Sequence, residues 1–188
     1  MILTKAGFDH LREKLFDGVL SESQVKALNF LVKSCSEAVM SYPETAYALA
    51  TTYHETGVPV KGKGVVRTMQ PVKEAGSLKY LQSKAYYPYI GYGYVQLTWE
   101  SNYKRIGKLI GVDLLSKPEL ALDPVIAAKI MTGGMLNGWF TGVGFRRKRP
   151  VAKYDRNSYI RARAIINGTD KAELIADYAM IFEKALRS

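Results

Sequence analysis

The sequence predicts a mainly α domain, and three observations carry that prediction. Most segments place apolar residues three and four apart, the period of a helix with one buried face. Several of them open on a Ser, Thr or Pro start signal or stop at glycine. Apolar–polar alternation, the mark of a half-buried strand, is scarce. The 188 residues suit one domain over 1–188, long enough to bury a core without disulfide or metal.

The elements follow in order. Thr4 caps a helix to about Phe16, with Phe8, Leu11 and Leu15 on one face. Ser21 caps a second, to about Met40, with Glu22 and Gln24 in its first turn. Its apolar positions Ala27, Leu28, Leu31, Val32, Cys35 and Val39 place the only cysteine in the core, as a small hydrophobe. Ser41-Tyr42-Pro43-Glu44 opens a third helix, to about Glu55. Residues 57–72, rich in glycine, valine and proline, read as a loop or short hairpin.

Ser77 to about Ala85 reads as a short helix, while Tyr86 to Tyr94 cannot be a regular one. Trp99–Ile110 regains helical period and stops at Gly111. Pro118 and Pro124 each introduce a helix, the second to about Leu136. Tyr159–Ile166 and Asp170–Arg187 close the chain. In the latter, Leu174, Ile175, Tyr178, Phe182 and Leu186 form a face that packs on the core. The longest uncharged stretch, Ile130 to Phe145, is broken by five glycines, too irregular for a membrane span.

Lysine and arginine outnumber aspartate and glutamate 27 to 17, a net charge of +10. Residues 61–110 carry nine basic and two acidic side chains; residues 141–163 carry eight and one. The second block centres on Arg146, Arg147, Lys148 and Arg149, with Lys153, Arg156, Arg161 and Arg163 nearby. Such blocks point to an anionic partner: nucleic acid, a membrane or lipopolysaccharide surface, or an acidic cell-wall polymer. An ordinary solvated face fits them as well. The N-terminus lacks a charged region followed by an apolar core, so synthesis and accumulation in a cytoplasm are expected.

Composition narrows the chemistry. His10 and His54 are the only histidines, and His54-Glu55-Thr56-Gly57-Val58 lacks the second histidine of a zinc-protease helix, so no metal or cofactor is called for. No serine sits in a nucleophile elbow. Carboxylates remain. Glu55 closes an apolar helix, where the helix dipole and an apolar wall both oppose ionisation, as suits a general acid. From position alone, a solvated last-turn glutamate is the better reading. Glu74 beside Lys73 fits a surface ion pair equally well.

Seven of the thirteen tyrosines lie between residues 80 and 103, Tyr94 and Tyr103 among them, next to Gln96, Thr98 and Asn102. Aromatic faces among glycines and amides suit a cleft that stacks on sugar rings and bonds their hydroxyl and acetamido groups. A basic nucleic-acid-binding protein, or a wall-binding module without catalysis, would share the charge. The first has no need of the Gln-Leu-Thr-x-x-x-Asn-Tyr segment, and the second none of Glu55 and Glu74; no nucleic-acid partner is expected.

Three ordered segments then resemble glycoside hydrolase family 19, the chitinase class I type. Ala50 to Thr56 looks like the segment carrying that family's acid, Gly91 to Tyr103 like its GRGPIQLS-x-x-x-NY signature, and Ile165-Ile166-Asn167-Gly168 like its late ING motif. The similarity is greatest to the short branch found in bacteriophage and prophage endolysins. It implies a lysozyme-like fold, two helical lobes with a central cleft, acting as a monomer.

The resemblance assigns the acid to Glu55, the water-activating base to Glu74, and the holding of that water to Thr98. It assigns sugar contacts to Gln96, Asn102 and Asn167. An inverting pair implies carboxyls roughly 6.5–9.5 Å apart. Tyr92 departs from the family's arginine, and the shorter chain puts chitin in doubt as substrate. Expected, then, is an endolysin cutting β-1,4 bonds of peptidoglycan strands, released from the host cytoplasm by a holin; a chitinase is the alternative.

Overall fold

The computed structural model describes residues 1–62, 64–145 and 154–188. Its helices are α1 (Lys5–Leu15), α2 (Glu22–Glu37), α3 (Tyr42–Glu55), α4 (Leu78–Gln82), α5 (Glu100–Ile110), α6 (Pro124–Asn137), α7 (Arg156–Ala162) and α8 (Ala172–Leu186). Short 3-10 turns precede α6 at Pro118–Leu122 and follow α7 at Arg163–Ile165. Two antiparallel pairs complete the fold: β1 (Gly57–Val60) with β2 (Gly64–Arg67), and β3 (Val72–Lys73) with β4 (Tyr92–Gly93).

The caps read from sequence are built as capping chemistry requires. The Thr4 hydroxyl accepts from the Gly7 N–H, and Ser21 and Gln24 exchange bonds in a capping box. At α3 the Glu44 carboxylate accepts from both the N–H and the hydroxyl of Ser41. Asp123 caps α6, and Gly111 and Gly138 end α5 and α6 in the left-handed conformation.

α3 is the axis of the larger lobe. Nearly every residue from Pro43 to Tyr53 is buried, and alanines at 46, 48 and 50 let neighbouring helices approach closely. α8 makes the most extensive contact, laying Ile175, Ala179, Phe182 and Leu186 inward. Each such Leu, Ile or Phe contributes about 1.5–3 kcal/mol by leaving water. The Tyr53 ring is met edge-on by Phe16, Tyr178 and Phe182. Leu174 is a correction. Helical geometry turns it away from the 175–179–182–186 stripe, and it is exposed rather than packed.

Cys35 is fully buried, and burial pushes its thiol up to about 12, so it is inert packing. Residues 57–72 form the β1–β2 hairpin with a return strand. Its base is fastened to the end of α3: Thr56 accepts from the N–H groups of Thr68 and Met69 through its carbonyl and hydroxyl oxygens. None of the described helices is long and apolar enough to cross a membrane. The block Arg146, Arg147, Lys148 and Arg149, with Lys153, lies outside the described residues.

Candidate active site

Glu55 is the last residue of α3, so its carboxyl leaves the helix where the core meets the hairpin. Its side chain keeps only 20% of its exposure, and burial pushes its pKa above the usual carboxylate range. Arg163 opposes that shift without cancelling it: its Nη2 stands 3.4 Å from Glu55 Oε1. Arg163 is itself buried, with Nε donating to the Asp170 carbonyl at 2.7 Å and Nη1 hydrogen-bonded to none of the described residues. The Asn167 N–H donates to the Arg163 carbonyl, and Asn167 is exposed. Burial, with the charges of Arg67 and Arg163, lowers the His54 pKa.

Glu74 is positioned by the second strand pair. Val72 and Lys73 pair with Gly93 and Tyr92, which brings Glu74 opposite Gly91. The Glu74 N–H donates to the Gly91 carbonyl, and the Gly91 N–H returns a bond to Glu74 Oε2 at 2.9 Å. The Tyr86 hydroxyl donates to Oε1 at 2.7 Å. Both carboxylate oxygens are therefore fixed. A Cβ at 91 would stand 2.6 Å from Gln96 Oε1 and 3.3 Å from Glu74 Cβ, so a larger residue there would push the Gln96 side chain aside. Gln96 is thus adjacent to Glu74, its amide donating to the carbonyls of Val72 and Gly93.

Thr98 is half-buried, and its hydroxyl engages no described residue; its carbonyl accepts from Asn102 Nδ2 at 3.0 Å. The Asn102 Oδ1 also accepts from Arg105 Nη2 at 3.1 Å. Asn102 braces Thr98. Tyr94 and Tyr103 correct the sequence reading. They are 1% and 0% exposed, and Tyr103 donates to the Ile90 and Leu97 carbonyls, so both are core residues with no face for a ligand. Tyr92 stands opposite Lys73 in the strand register and exchanges backbone bonds with Leu97, and its half-buried phenol supplies no charge in place of the family's arginine.

The structure therefore gathers two clusters. Glu55, Arg163, Asp170 and Asn167 stand at the end of α3; Glu74, Tyr86, Gln96, Thr98 and Asn102 stand around the β3–β4 pair. Three members were missed in the sequence: Arg163, Asp170 and Tyr86. Arg163 read as part of a basic surface, yet it interrupts the apolar run Tyr159, Ala162, Ile165 that turns it inward. Of its companions in that reading, Arg156 is paired with Asp177 and Glu173. Tyr86 was one of seven clustered tyrosines, with nothing local to single it out.

A cavity of about 850 Å³ is lined by Phe16, Gln24, Tyr53, Val65, Arg67 and Gln70 among others. It holds neither glutamate, so volume alone is a poor guide to the chemistry. Among the described residues no three His, Cys, Asp or Glu side chains converge as metal ligands. What the described residues offer is a carboxyl whose pKa burial raises and a second carboxylate held by two donors, groups suited to acid–base hydrolysis.

The comparisons with known proteins agree in kind. Endochitinase 1 of Theobroma cacao is 39% identical over 100 residues, and endochitinase A2 of Pisum sativum 38% over 96; each match covers 46% of this chain and 30% of the relative. The chain thus spans less than a third of the length of these relatives. A bacterial family 19 chitinase shares the fold at a TM-score of 0.59 and 22% identity, over 99% of this chain and 95% of that one. Chitinase C of Streptomyces griseus shares it at 0.62 and 19%, over 99% and 77%. The profile of the chitinase class I family matches residues 35–143, a segment that contains both glutamates. The chain belongs to glycoside hydrolase family 19, the chitinase class I family, and carries its lysozyme-like, mainly helical fold.

Proposed function

We propose that the protein hydrolyses β-1,4 bonds of glycans built from N-acetylglucosamine, chitin-type chains first, by an inverting mechanism. Glu55 protonates the glycosidic oxygen as the bond breaks. Glu74 takes a proton from the water that attacks the opposite face, and Thr98 offers that water a hydroxyl. Arg163 keeps Glu55 in place. The observation that carries the reading is the upward shift of Glu55 by burial, at the helix end that the family segment supplies. Both similar plant relatives bear the name endochitinase, which supports chitin over other glycans. The test is release of reducing ends from N-acetylglucosamine hexamer by the parent and by Glu55→Gln. Equal release by both folded proteins would sink the reading.

A second substrate has one observation in its favour. The net charge of +10 suits an anionic glycan better than neutral chitin, and peptidoglycan strands carry lactyl and peptide carboxylates. On this reading the protein is a phage-type endolysin, held in the host cytoplasm until a holin releases it to the wall, with lipopolysaccharide or the membrane surface as a further anionic contact. Clearing of outer-membrane-permeabilised Gram-negative cells tests it, with serine replacing Arg146, Arg147, Lys148 and Arg149 as the charge control. The variant should clear cells more slowly than the parent at low salt, and cut hexamer equally well. Failure of the parent to clear cells while it cuts hexamer leaves chitin-type chains alone.

A further inference from the structure

Trp99 holds an unusual position for so large an apolar side chain. It is 49% exposed, and its backbone stands at φ 72°, where a bulky residue is rarely found. Its N–H is tied to the Tyr89 carbonyl, and its own carbonyl accepts from the N–H groups of Asn102 and Tyr103 at the start of α5. The backbone is therefore locked in this conformation while the ring faces water. Folding alone gives no reason to hold an indole outward on a strained backbone; such outliers gather at binding sites. Gln96, three residues earlier and beside Glu74, also has positive φ.

The ring is not isolated. Its centroid lies 5.6 Å from that of Tyr86, at an interplanar angle of 65°, and the Tyr86 hydroxyl is the donor to Glu74 Oε1. Burial and the neighbouring carboxylate push the Tyr86 phenol up to about 12, so it remains a donor across ordinary pH. Tyr87 and Tyr80 add exposed aromatic surface to the same segment. A flat apolar face edged by hydroxyls matches the axial C–H face of a pyranose with its equatorial polar groups.

We propose that Trp99 is the stacking platform for one pyranose ring of the glycan, and that Tyr86 ties the position of the Glu74 carboxylate to that platform. The inference rests on the glycan-hydrolase reading above. A ring seated on Trp99 fixes the edge of Tyr86, and Tyr86 then fixes the oxygen that must face the attacking water. Trp99 is a specificity residue; Tyr86 is a positioning residue. A sugar missing from this subsite should cost turnover as well as affinity.

The experiment uses Glu55→Gln, which binds without cutting, with Trp139→Phe so that Trp99 is the only indole left. Titration with N-acetylglucosamine tetramer should shift the Trp99 emission to the blue with a saturable curve. By calorimetry on Glu55→Gln, Trp99→Ala should weaken binding about tenfold and Trp99→Phe should restore most of it. In the active protein, Tyr86→Phe keeps the ring and removes the donor. It should lower kcat about tenfold with tetramer binding and melting temperature unchanged.

An unchanged Trp99 emission on saturation, in a protein whose parent cuts the tetramer, overturns the platform while the hydrolase reading stands. Full kcat in Tyr86→Phe, or equal loss of binding and kcat with a lower melting temperature, overturns the tie to Glu74. A parent that cuts no glycan overturns the hydrolase reading and this inference with it.

Discussion

The two glutamates are held by opposite means. Glu55 ends a helix that is buried almost all round, and its environment is low in water because α3 and α8 pack there. Glu74 sits one residue past a two-residue strand, half-buried, and its place is fixed by hydrogen bonds from Tyr86 and Gly91. Packing gives the first a raised pKa; hydrogen bonds give the second a fixed orientation. The difference matches what an acid and a base each need. A group that must keep its proton gains from desolvation, and one that must receive a proton gains from donors that leave its lone pairs aimed.

The comparison is sharpened most by removing the carboxyl that packing protects. Glu55→Gln keeps shape and loses the proton donor, so hexamer hydrolysis should fall at least about a hundredfold. Circular dichroism and the melting temperature should stay near those of the parent, because Arg163 can still bond the amide oxygen. Glu74→Gln should be nearly as severe for turnover, while calorimetric binding of tetramer survives. Its amide oxygen still accepts from one donor, so the loop should hold. Loss of binding together with turnover would assign Glu74 to structure rather than to the water.

Legibility in the sequence follows the same division. Glu55 could be placed because helical period, the Ser41 and Glu44 start signal and Gly57 bound α3 closely; each is local physics. The caps at Thr4 and Ser21 and the stop at Gly111 are legible for the same reason. Glu74 could be named only by family resemblance, since its holders lie 12 and 17 residues away along the chain. Tyrosine count could not separate Tyr86, which donates to a carboxylate, from Tyr94 and Tyr103, which fill the core. That distinction depends on which face a turn presents, and the residues around Gln96 and Trp99 adopt positive φ that no alternation pattern reveals. Arg163 failed to register because a cationic residue in a basic stretch is normally solvated; only the packing of α7 on α8 turns it inward.

Arg163 supplies a pH test of the packing side. Its charge lowers the Glu55 pKa against the larger upward effect of burial. Replacing it with glutamine removes that downward influence, so Glu55 should keep its proton to still higher pH. The alkaline limb of the activity profile should therefore move up, not down. Arg163→Lys retains the charge and should leave the limb close to the parent's. Stability should fall in the glutamine variant by about 1–3 kcal/mol, because the Asp170 carbonyl and Glu55 lose their donor in a buried place. A limb that moved to lower pH would mean that Arg163 is not the charge Glu55 senses.

The smallest effect on chemistry, and the one that separates core tyrosines from site tyrosines, is expected at Tyr103. Its hydroxyl donates to the carbonyls of Ile90 and Leu97, which flank the segment carrying Gly91 and Gln96. Tyr103→Phe leaves the ring and both buried carbonyls but removes their shared donor. Unfolding free energy should fall by about 1–3 kcal/mol, the cost of taking the donor from the Ile90 carbonyl, while the Leu97 carbonyl still accepts from the Tyr92 N–H. Since Tyr103 has no exposed surface, tetramer affinity should stay within about twofold, a change well under the 1.4 kcal/mol that makes a factor of ten. Tyr86→Phe should show the reverse pattern, with stability kept and turnover lost. A Tyr103→Phe protein that is fully stable but binds tetramer poorly would return Tyr103 to the ligand face and contradict the packing described for α5.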